Sequence, residues 1–163
     1  GQFDGLTTLL AADAAHTGST KITGEAITAA NVIAQLGSIV DALPSAIYGK
    51  EDVKIYISQN IAKAYVSAQA ALGYRDLYNV GQTEMNFQGV PLFVANGLAA
   101  NAAIAAETSN LYFGTGLLSD HNEVKVIDMA DIDGSQNVRV VMRFTAGVQY
   151  GIVSDIVSYG IGL

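Results

Sequence analysis

The sequence predicts an α+β domain. Two segments with apolar residues spaced three and four apart, over 29–43 and 59–72, indicate amphipathic helices. Between them lies VKIYIS, residues 53–58, in which the side chains alternate as in a half-buried strand. The second half of the chain is a series of short extended segments separated by glycines and polar turns. Helices followed by a run of strands are typical of the α+β class.

The composition indicates a globular domain with little charged surface. Its 163 residues suit one domain with a substantial core. Charged residues make up 14%, against about 25% in typical soluble domains. Either the core is large or partners cover some of the surface. A compact core beneath a surface rich in Ser, Thr and Asn explains the composition equally well.

Charge and residue counts exclude several classes of site. A net charge of −7 lacks the basic footprint of a nucleic-acid-binding domain. The absence of cysteine excludes disulfides and thiolate zinc sites. No run of about 18 apolar residues is present, so no transmembrane helix is predicted. The chain opens on GQFDGL, without an initiator Met or a signal-peptide pattern, and we expect it to be a piece of a longer protein.

Local signals predict the elements of the first part of the chain. Residues 4–15 form a short helix or turn, and residues 19–23 form a short strand. Thr28 caps the 29–43 helix, because its hydroxyl can accept a free N–H of the first turn. Pro44 ends this helix, since the residue before a proline is disfavoured in helical geometry. The apolar stripe of the helix is Val32, Leu36, Ile39, Val40 and Leu43.

The 53–58 strand leads directly into the second helix. Its Val53, Ile55 and Ile57 face one way, whereas Lys54 and Tyr56 face the other. Ser58 caps the 59–72 helix, and Gly73 suits the left-handed residue that often follows a helix. The apolar stripe of this helix is Ile61, Tyr65, Ala68 and Leu72.

Turns and strands are predicted after Gly73. Residues 74–83 are polar and irregular. The later predictions are an extended segment over 84–95, short apolar segments over 104–106 and 110–113, strands over 124–129 and 137–145, a turn over 131–135, and a last strand over 149–158 interrupted around Gly147 and Gly151. In the 137–145 strand, one face carries Val138, Val140, Met142 and Phe144, and the other carries Arg139, Val141 and Arg143.

The extended segment over 84–95 contains two residues that interrupt a regular strand. Pro91 has no backbone N–H to donate, so its position is predicted to be an edge, a bulge or a joint. Gly89 lets the chain bend beside it. We therefore predict a backbone joint at Gly89 and Pro91, and the run of small residues over 99–103 would allow backbones to approach closely.

No motif in the sequence indicates an active site, a cofactor or a metal. His121 follows Asp120, but a catalytic triad needs three groups brought together in space, and no nucleophile motif is present. The segment 131–135, DIDGS, departs from a calcium loop in its glycine position, and Met142 stands where the bidentate Glu belongs. The segment 114–116, GTG, lacks the remainder of a phosphate-binding loop.

Intersubunit contacts are the alternative use for several polar and aromatic residues. Arg139 and Arg143 could pair with acidic groups of a neighbouring chain, and a solvated face is equally consistent. Tyr74, Tyr78 and Phe87 could line a contact surface, although core packing is the commoner role of such residues. The predicted contact residues are Tyr74, Arg75, Tyr78, Asn79, His121, Arg139 and Arg143, and the predicted contact loops are 74–83, 114–123 and 131–136.

The stretch FQGVPLFVANGLAANAAIAAETSNLYFGT, residues 87–115, resembles the C-terminal half of tailed-phage major capsid proteins of the Hong Kong ninety-seven type. That family has a strand with a Gly-hydrophobic-Pro step, here Gly89-Val90-Pro91, followed by a second strand and a small-residue turn. An apolar segment follows, here 103–106, and then a segment similar to 110–114. The flanking helices and strands occur in the same order, so the resemblance covers nearly the whole chain.

The resemblance implies a fold and a function. The implied fold is an axial domain, with a central mixed sheet flanked by helices, plus return strands of the peripheral domain, together spanning residues 1–163. The family's N-terminal arm, extended loop and spine helix have no counterpart in these residues. The implied function is that of a structural subunit whose pentamers and hexamers form an icosahedral shell around double-stranded DNA, without sequence-specific binding.

The same resemblance implies scaffolding and portal proteins as partners, and neither a membrane nor a small-molecule substrate. It places the protein in the virion, and in the cytoplasm of a bacterial host during assembly. Three alternatives remain from the sequence: a shell subunit of an encapsulin-type compartment, a hydrolytic enzyme around Asp120-His121 or Asp131 and Asp133, and a binding module unrelated to shells.

Overall fold

The computed structural model describes residues 3–73, 85–116, 123–134, 136–143 and 145–162. The helices are α1 (Leu6–Ala12), α2 (Val32–Asp41), α3 (Gln59–Ala71) and the single turn α4 (Ala130–Asp133). The strands are β1 (Lys21–Ile22), β2 (Val53–Ile57), β3 (Met85–Phe87), β4 (Val90–Val94), β5 (Ala103–Glu107), β6 (Leu111–Thr115), β7 (Glu123–Asp128), β8 (Val138–Arg143), β9 (Ala146–Tyr150) and β10 (Val157–Tyr159).

Six strands form a central sheet in the order β1-β10-β5-β2-β4-β3. The pairs β1–β10 and β2–β4 are parallel, and the other neighbours are antiparallel. The sheet is therefore mixed, and the predicted α+β class with a central mixed sheet and helices is confirmed.

Helices α2 and α3 cover one face of this sheet. The alternation in β2 buries Val53, Ile55 and Ile57 beneath them, as the sequence predicted. The predicted stripe of α2 is buried as well, and so are three members of the α3 stripe. The fourth, Leu72, is 59% exposed, because α3 ends at Ala71 and the chain turns away at Gly73, which has a φ of +75°.

The opposite face of the sheet is covered only in part, by α1 and the last residues of the chain. Leu10 packs there with Ile104, Ala106, Ile156 and Ile161. Strand β5 is therefore buried on both faces, since Ala103 and Ala105 belong to the cluster beneath the helices. This double burial explains why β5 itself is rich in small side chains. Ala99 and Ala100, which precede it, are exposed.

Helix α2 starts later than the sequence predicted. Its first residue is Val32, and Asn31 rather than Thr28 occupies the N-cap position. The Thr28 hydroxyl and backbone N–H both donate to Oδ1 of Asn31, at 3.2 and 2.7 Å, so Thr28 forms a turn ahead of the helix. The helix ends at Asp41, two residues before the predicted Leu43 and ahead of Pro44. The predicted strand over 19–23 is limited to Lys21–Ile22 and follows a 3-10 turn at Gly18–Thr20.

The predicted extended segment over 84–95 is a hairpin. Gln88 and Gly89 form its two-residue loop, with φ values of 47° and 82°, as a type I′ turn requires. Pro91 does not lie on an edge, because β4 is flanked by β2 and β3. Proline is tolerated there for two reasons. On the β2 side, pairing starts only at Leu92. On the β3 side, Pro91 is opposite Asn86, next to the pair that closes the turn, and this position needs no backbone hydrogen bond between the strands.

Two further antiparallel pairs, β6–β9 and β7–β8, form separate two-stranded sheets. We call these two pairs together the ribbon, and the β6–β9 pair its base. At the tip, α4 replaces the predicted turn over 131–135, and Gly134 closes it with a φ of +73°. The predicted single strand over 149–158 is wrong: β9 belongs to the ribbon and β10 to the central sheet. Between them, Gly151 and Ile152 donate backbone hydrogen bonds to the Asn110 side chain, which redirects the chain.

Candidate interaction surfaces

The ribbon exposes one continuous apolar face. In the β7–β8 register, Val124 lies opposite Met142 and Val126 lies opposite Val140, so these side chains share a face. Their exposed fractions range from 54% for Val124 to 70% for Met142. We call the exposed set the valine face; it consists of Val124, Val126, Val138, Val140 and Met142.

The valine face was not recognised from the sequence. Val138, Val140 and Met142 share one face of β8, as their alternation predicts, but such alternation normally indicates that the apolar face is buried. A two-stranded ribbon has no second layer of its own, and a contiguous apolar patch of this kind is typical of an interaction site. Burying it would contribute about 25 cal/mol for each Å² of apolar surface removed from water.

The opposite face of the ribbon carries charge. Arg139 lies opposite Ile127 and is exposed, whereas Ile127 and Val141 are half-buried. Arg143 lies opposite Glu123 in the ladder. Arg139 is therefore on the face opposite Val140, and the part of Arg139 and Arg143 in intersubunit contacts stays a prediction.

Most of the other predicted contact residues lie outside the described residues. These are Tyr74, Arg75, Tyr78, Asn79 and His121, together with the whole of loop 74–83 and residues 117–122 of loop 114–123. Phe87 is not a contact residue of the exposed surface. It is buried, and its ring meets that of Tyr65 edge to face with centroids 6.1 Å apart.

Gly89 and Pro91 border an open groove of about 450 Å³. Its other wall is the loop that contains Tyr48 and Lys50, and the Tyr48 side chain is exposed. The Lys50 ammonium is 2.6 Å from the Glu107 carboxylate, which ties this loop to the end of β5. The turn at Gly89 thus lies at the rim of a groove, and the backbone joint at Gly89 and Pro91 remains a prediction.

A second exposed apolar area lies on the central sheet, on the face away from α2 and α3. Tyr56 and Phe93 are directly opposite each other on β2 and β4, and their rings pack edge to face at 5.7 Å. Phe93 is 56% exposed, because α1 covers the other half of this face. Two aromatic rings on a sheet surface can add to a protein interface, where aromatics are enriched.

A buried histidine was also missed by sequence analysis. Nε2 of His16 is 2.6 Å from Oγ of Ser158, and both side chains are buried. Burial and then the charge of Lys21 lower the pKa of His16, against an opposing effect of Asp13. The nearby Asp13 carboxylate accepts hydrogen bonds from the Tyr150 hydroxyl and the Ala15 N–H, and both bonds lower the pKa of Asp13. The bond with Asp13 raises the pKa of Tyr150.

This serine–histidine pair is not arranged for catalysis. Ser158 is fully buried within β10, so no substrate can reach its hydroxyl. Nδ1 of His16 has no hydrogen-bond partner among the described residues, so no carboxylate orients the ring as in a triad. Within the same residues, no group of three or more acidic or histidine side chains is placed to hold a metal, and no helix is long and apolar enough to cross a membrane.

Comparison with solved structures gives the decisive likeness. A chain of Mycobacterium phage Che8 superposes with a TM-score of 0.65 at 16% identity, over 85% of this chain and 52% of that chain. A chain of the cyanophage A-1(L) capsid asymmetric unit gives a TM-score of 0.52 at 14% identity, over 86% of this chain and 49% of that chain. The chain has the tailed-phage major capsid-like fold. No family model and no curated protein matches it.

The capsid-like fold confirms the resemblance noted in the sequence around Gly89-Val90-Pro91. The chain spans about half the length of the solved chains that it matches. At these identities the likeness establishes the arrangement of the backbone and not the functions of individual side chains. The valine face is one of the exposed apolar areas among the described residues.

Proposed function

We propose that this chain is part of a structural shell protein, a head subunit of a tailed phage or prophage whose copies assemble into an icosahedral container for double-stranded DNA. The observation that carries the proposal is the capsid-like fold shared with a chain of a cyanophage capsid asymmetric unit. The function is geometric, since copies that contact each other through unlike surfaces close into rings when the rotation between them is right.

The valine face is the surface that we assign to contact with a second copy. It is apolar and exposed, so another subunit can reach it. A standard stable interface uses about 20–30 residues on each side, and five side chains fall well short of that. A single contact of this size is weak, and it becomes effective only when many are made together in a closed shell.

The finer parts of the proposal follow from the same fold. Pentamers and hexamers are the capsomers, residues 1–163 comprise the axial domain with return strands of the peripheral domain, and scaffolding and portal proteins assist assembly. The net charge of −7 suits a container that does not grip its genome, because like charges repel. The sites of action are the bacterial cytoplasm during assembly and then the virion.

A non-enzymatic role is part of this proposal. The pair formed by His16 and Ser158 is closed to substrate, and the Asp120-His121 segment lies outside the described residues. The open groove beside Gly89 has glutamine, proline and valine on one wall and carries no nucleophile paired with a base. An encapsulin-type compartment would contain a protein cargo, so the contents of the shell distinguish it from a phage head.

Electron microscopy of the protein expressed from its complete gene, alone and together with its gene neighbours, tests the proposal. Closed, regular shells containing nucleic acid are the expected result. Shells filled with protein would assign the chain to a compartment instead. Monomers under every condition would overturn the shell function while leaving the fold unaffected.

A further inference from the structure

His16 joins two parts of the chain that are far apart in sequence. It lies in the turn after α1, and its Nε2 is 2.6 Å from Oγ of Ser158, 142 residues away on β10. The ring is 1% exposed, and its Nδ1 has no hydrogen-bond partner among the described residues. The α1 segment is thus attached to the central sheet through this buried ring as well as through Leu10.

A second contact attaches the same segment to the ribbon. The Tyr150 hydroxyl, on β9, donates to Oδ2 of Asp13, the residue that follows α1. Leu10 of α1 is fully buried, and both Leu6 and Tyr150 pack against its cluster. The α1 segment therefore contacts both the central sheet and β9, at the base of the ribbon, and its release removes a contact that positions β9.

The surroundings of the ring favour its neutral form. A neutral imidazole needs one donor and one acceptor partner, and Ser158 satisfies one nitrogen. An imidazolium has two N–H donors, so the Nδ1–H would be buried without an acceptor. Two charged groups act on the ring: Lys21 opposes protonation, and Asp13 favours it but already accepts bonds from Tyr150 and Ala15.

We propose that His16 is an acid-sensitive latch. In its neutral form it holds the α1 segment, residues 6–16, against β9 and β10. Protonation of the ring releases this segment and the base of the ribbon, while the face of the sheet beneath α2 and α3 stays folded. This device goes beyond the shell function, since it stands on the contacts of one chain and does not require assembly.

The direction of the pH effect follows from burial. Burial and Lys21 hold the pKa of the folded state below that of an exposed histidine, which is about 6.5. The latch is therefore fully effective above that pH and weakens as the pH falls below it, because the open state binds one more proton. One proton changes the opening equilibrium by at most about tenfold for each pH unit.

Hydrogen exchange measured by mass spectrometry tests the latch in the 163-residue chain. We expect opening of residues 6–16 and 146–159 to increase up to about tenfold between pH 7.5 and 5.5, after correction for the chemical exchange rate. Residues 59–71 should show no such increase. His16→Gln keeps an amide donor near Ser158 but does not titrate, so it should remove the pH dependence. His121→Gln removes the other histidine and should behave as the wild type.

Two results would overturn the proposal. One is an equal pH dependence in His16→Gln and the wild type, and the other is a uniform increase across all peptides. If His16→Gln does not fold, the ring resonances of the wild type decide, with His121→Gln assigning them. A His16 ring that gains its proton at or above pH 6.5 would exclude the latch, whereas one that stays neutral well below that value supports it.

Discussion

The glycine at position 160 lies directly against the backbone of Asn101. A Cβ atom at Gly160 would be 2.6 Å from the Asn101 carbonyl oxygen, and Gly160 has a φ of +66°. The residue is placed between β10 and the turn that leads into β5, where two backbones meet without an intervening side chain. Asn101 is itself left-handed, with a φ of 62°, and its Oδ1 accepts a hydrogen bond from the N–H of Ile27 at 3.0 Å.

Gly160→Ala should destabilise the domain by about 2 kcal/mol or more, because it adds both a backbone clash and an unfavourable φ. Urea unfolding followed by circular dichroism measures the change in free energy. Gly37→Ala is the matched control: Gly37 lies within α2 and a Cβ there meets nothing within 4 Å. That change should stabilise by about 0.5–1 kcal/mol. Equal effects of the two substitutions would contradict the packing described.

Asn110 should be among the most sensitive polar residues. Its Oδ1 accepts bonds from Gly151 and Ile152 at 3.1 and 2.7 Å, and its Nδ2 donates to the Ile152 carbonyl at 2.7 Å. Asn110→Ala removes the side-chain partners of the Ile152 N–H and carbonyl, whereas the Gly151 N–H keeps its bond to the Asn110 carbonyl. The substitution should cost about 1–2 kcal/mol. Thermal unfolding gives the shift in Tm, with Asn96→Ala, at an exposed position, expected to change stability by less than about 0.5 kcal/mol.

Asp52 should contribute stability that disappears in acid. The hydroxyl and the backbone N–H of Ser109 lower the pKa of Asp52, and the N–H is 2.8 Å from Oδ2. A lowered carboxyl pKa stabilises the fold above the unfolded value of about 3.9, and this stabilisation is lost as the pH falls through the folded pKa. Asp52→Asn should therefore unfold at lower urea than the wild type at pH 6, and the difference should shrink at lower pH. A constant difference would exclude the charge as its cause, and Asp4→Asn, at an exposed residue, serves as the control.

A substitution at Gln88, in the turn between β3 and β4, should increase the stability of the domain. Gln88 has a φ of 47°, a conformation that costs most side chains energy and that Asn adopts readily. Gln88→Asn should stabilise by about 0.5 kcal/mol, and Gly89→Ala, at a φ of 82°, should destabilise by about 1 kcal/mol. Urea midpoints measure both, and opposite signs are the expected outcome. A loss of stability in Gln88→Asn would contradict the type I′ turn.

The valine face should govern association rather than folding. Val140 is 58% exposed, so Val140→Glu should leave the free energy of unfolding within about 0.5 kcal/mol of the wild type. It should prevent shell assembly by the complete protein, because it places a charge in an apolar contact. Ile33→Glu, at an exposed residue of α2, is the matched control and should assemble normally. Normal assembly of Val140→Glu, seen by sedimentation velocity, would remove the valine face from the subunit contact.

Periodic patterns in the sequence were sufficient for the elements around β2. The alternation of Val53, Ile55 and Ile57 and the stripe through Ile61 and Tyr65 are local signals, and these residues are buried as predicted. The glycine after α3 has the left-handed conformation expected of it. The resemblance around Gly89 then identified the capsid-like fold, because the order of short motifs survives where the identity of individual residues does not.

Only the tertiary structure decided what those patterns face. The alternation through Val138 and Val140 has the same period as that of β2, yet no layer covers these side chains among the described residues. A period of two shows which side chains share a face of a strand, but it does not show whether another element packs against that face. The contact between His16 and Ser158 has no sequence signal, because it joins residues 142 positions apart. The sequence by itself determined the helices, the principal strand and the class of fold through local geometry. Which surfaces are covered, and which buried polar groups meet, depended on contacts between segments that only folding brings together.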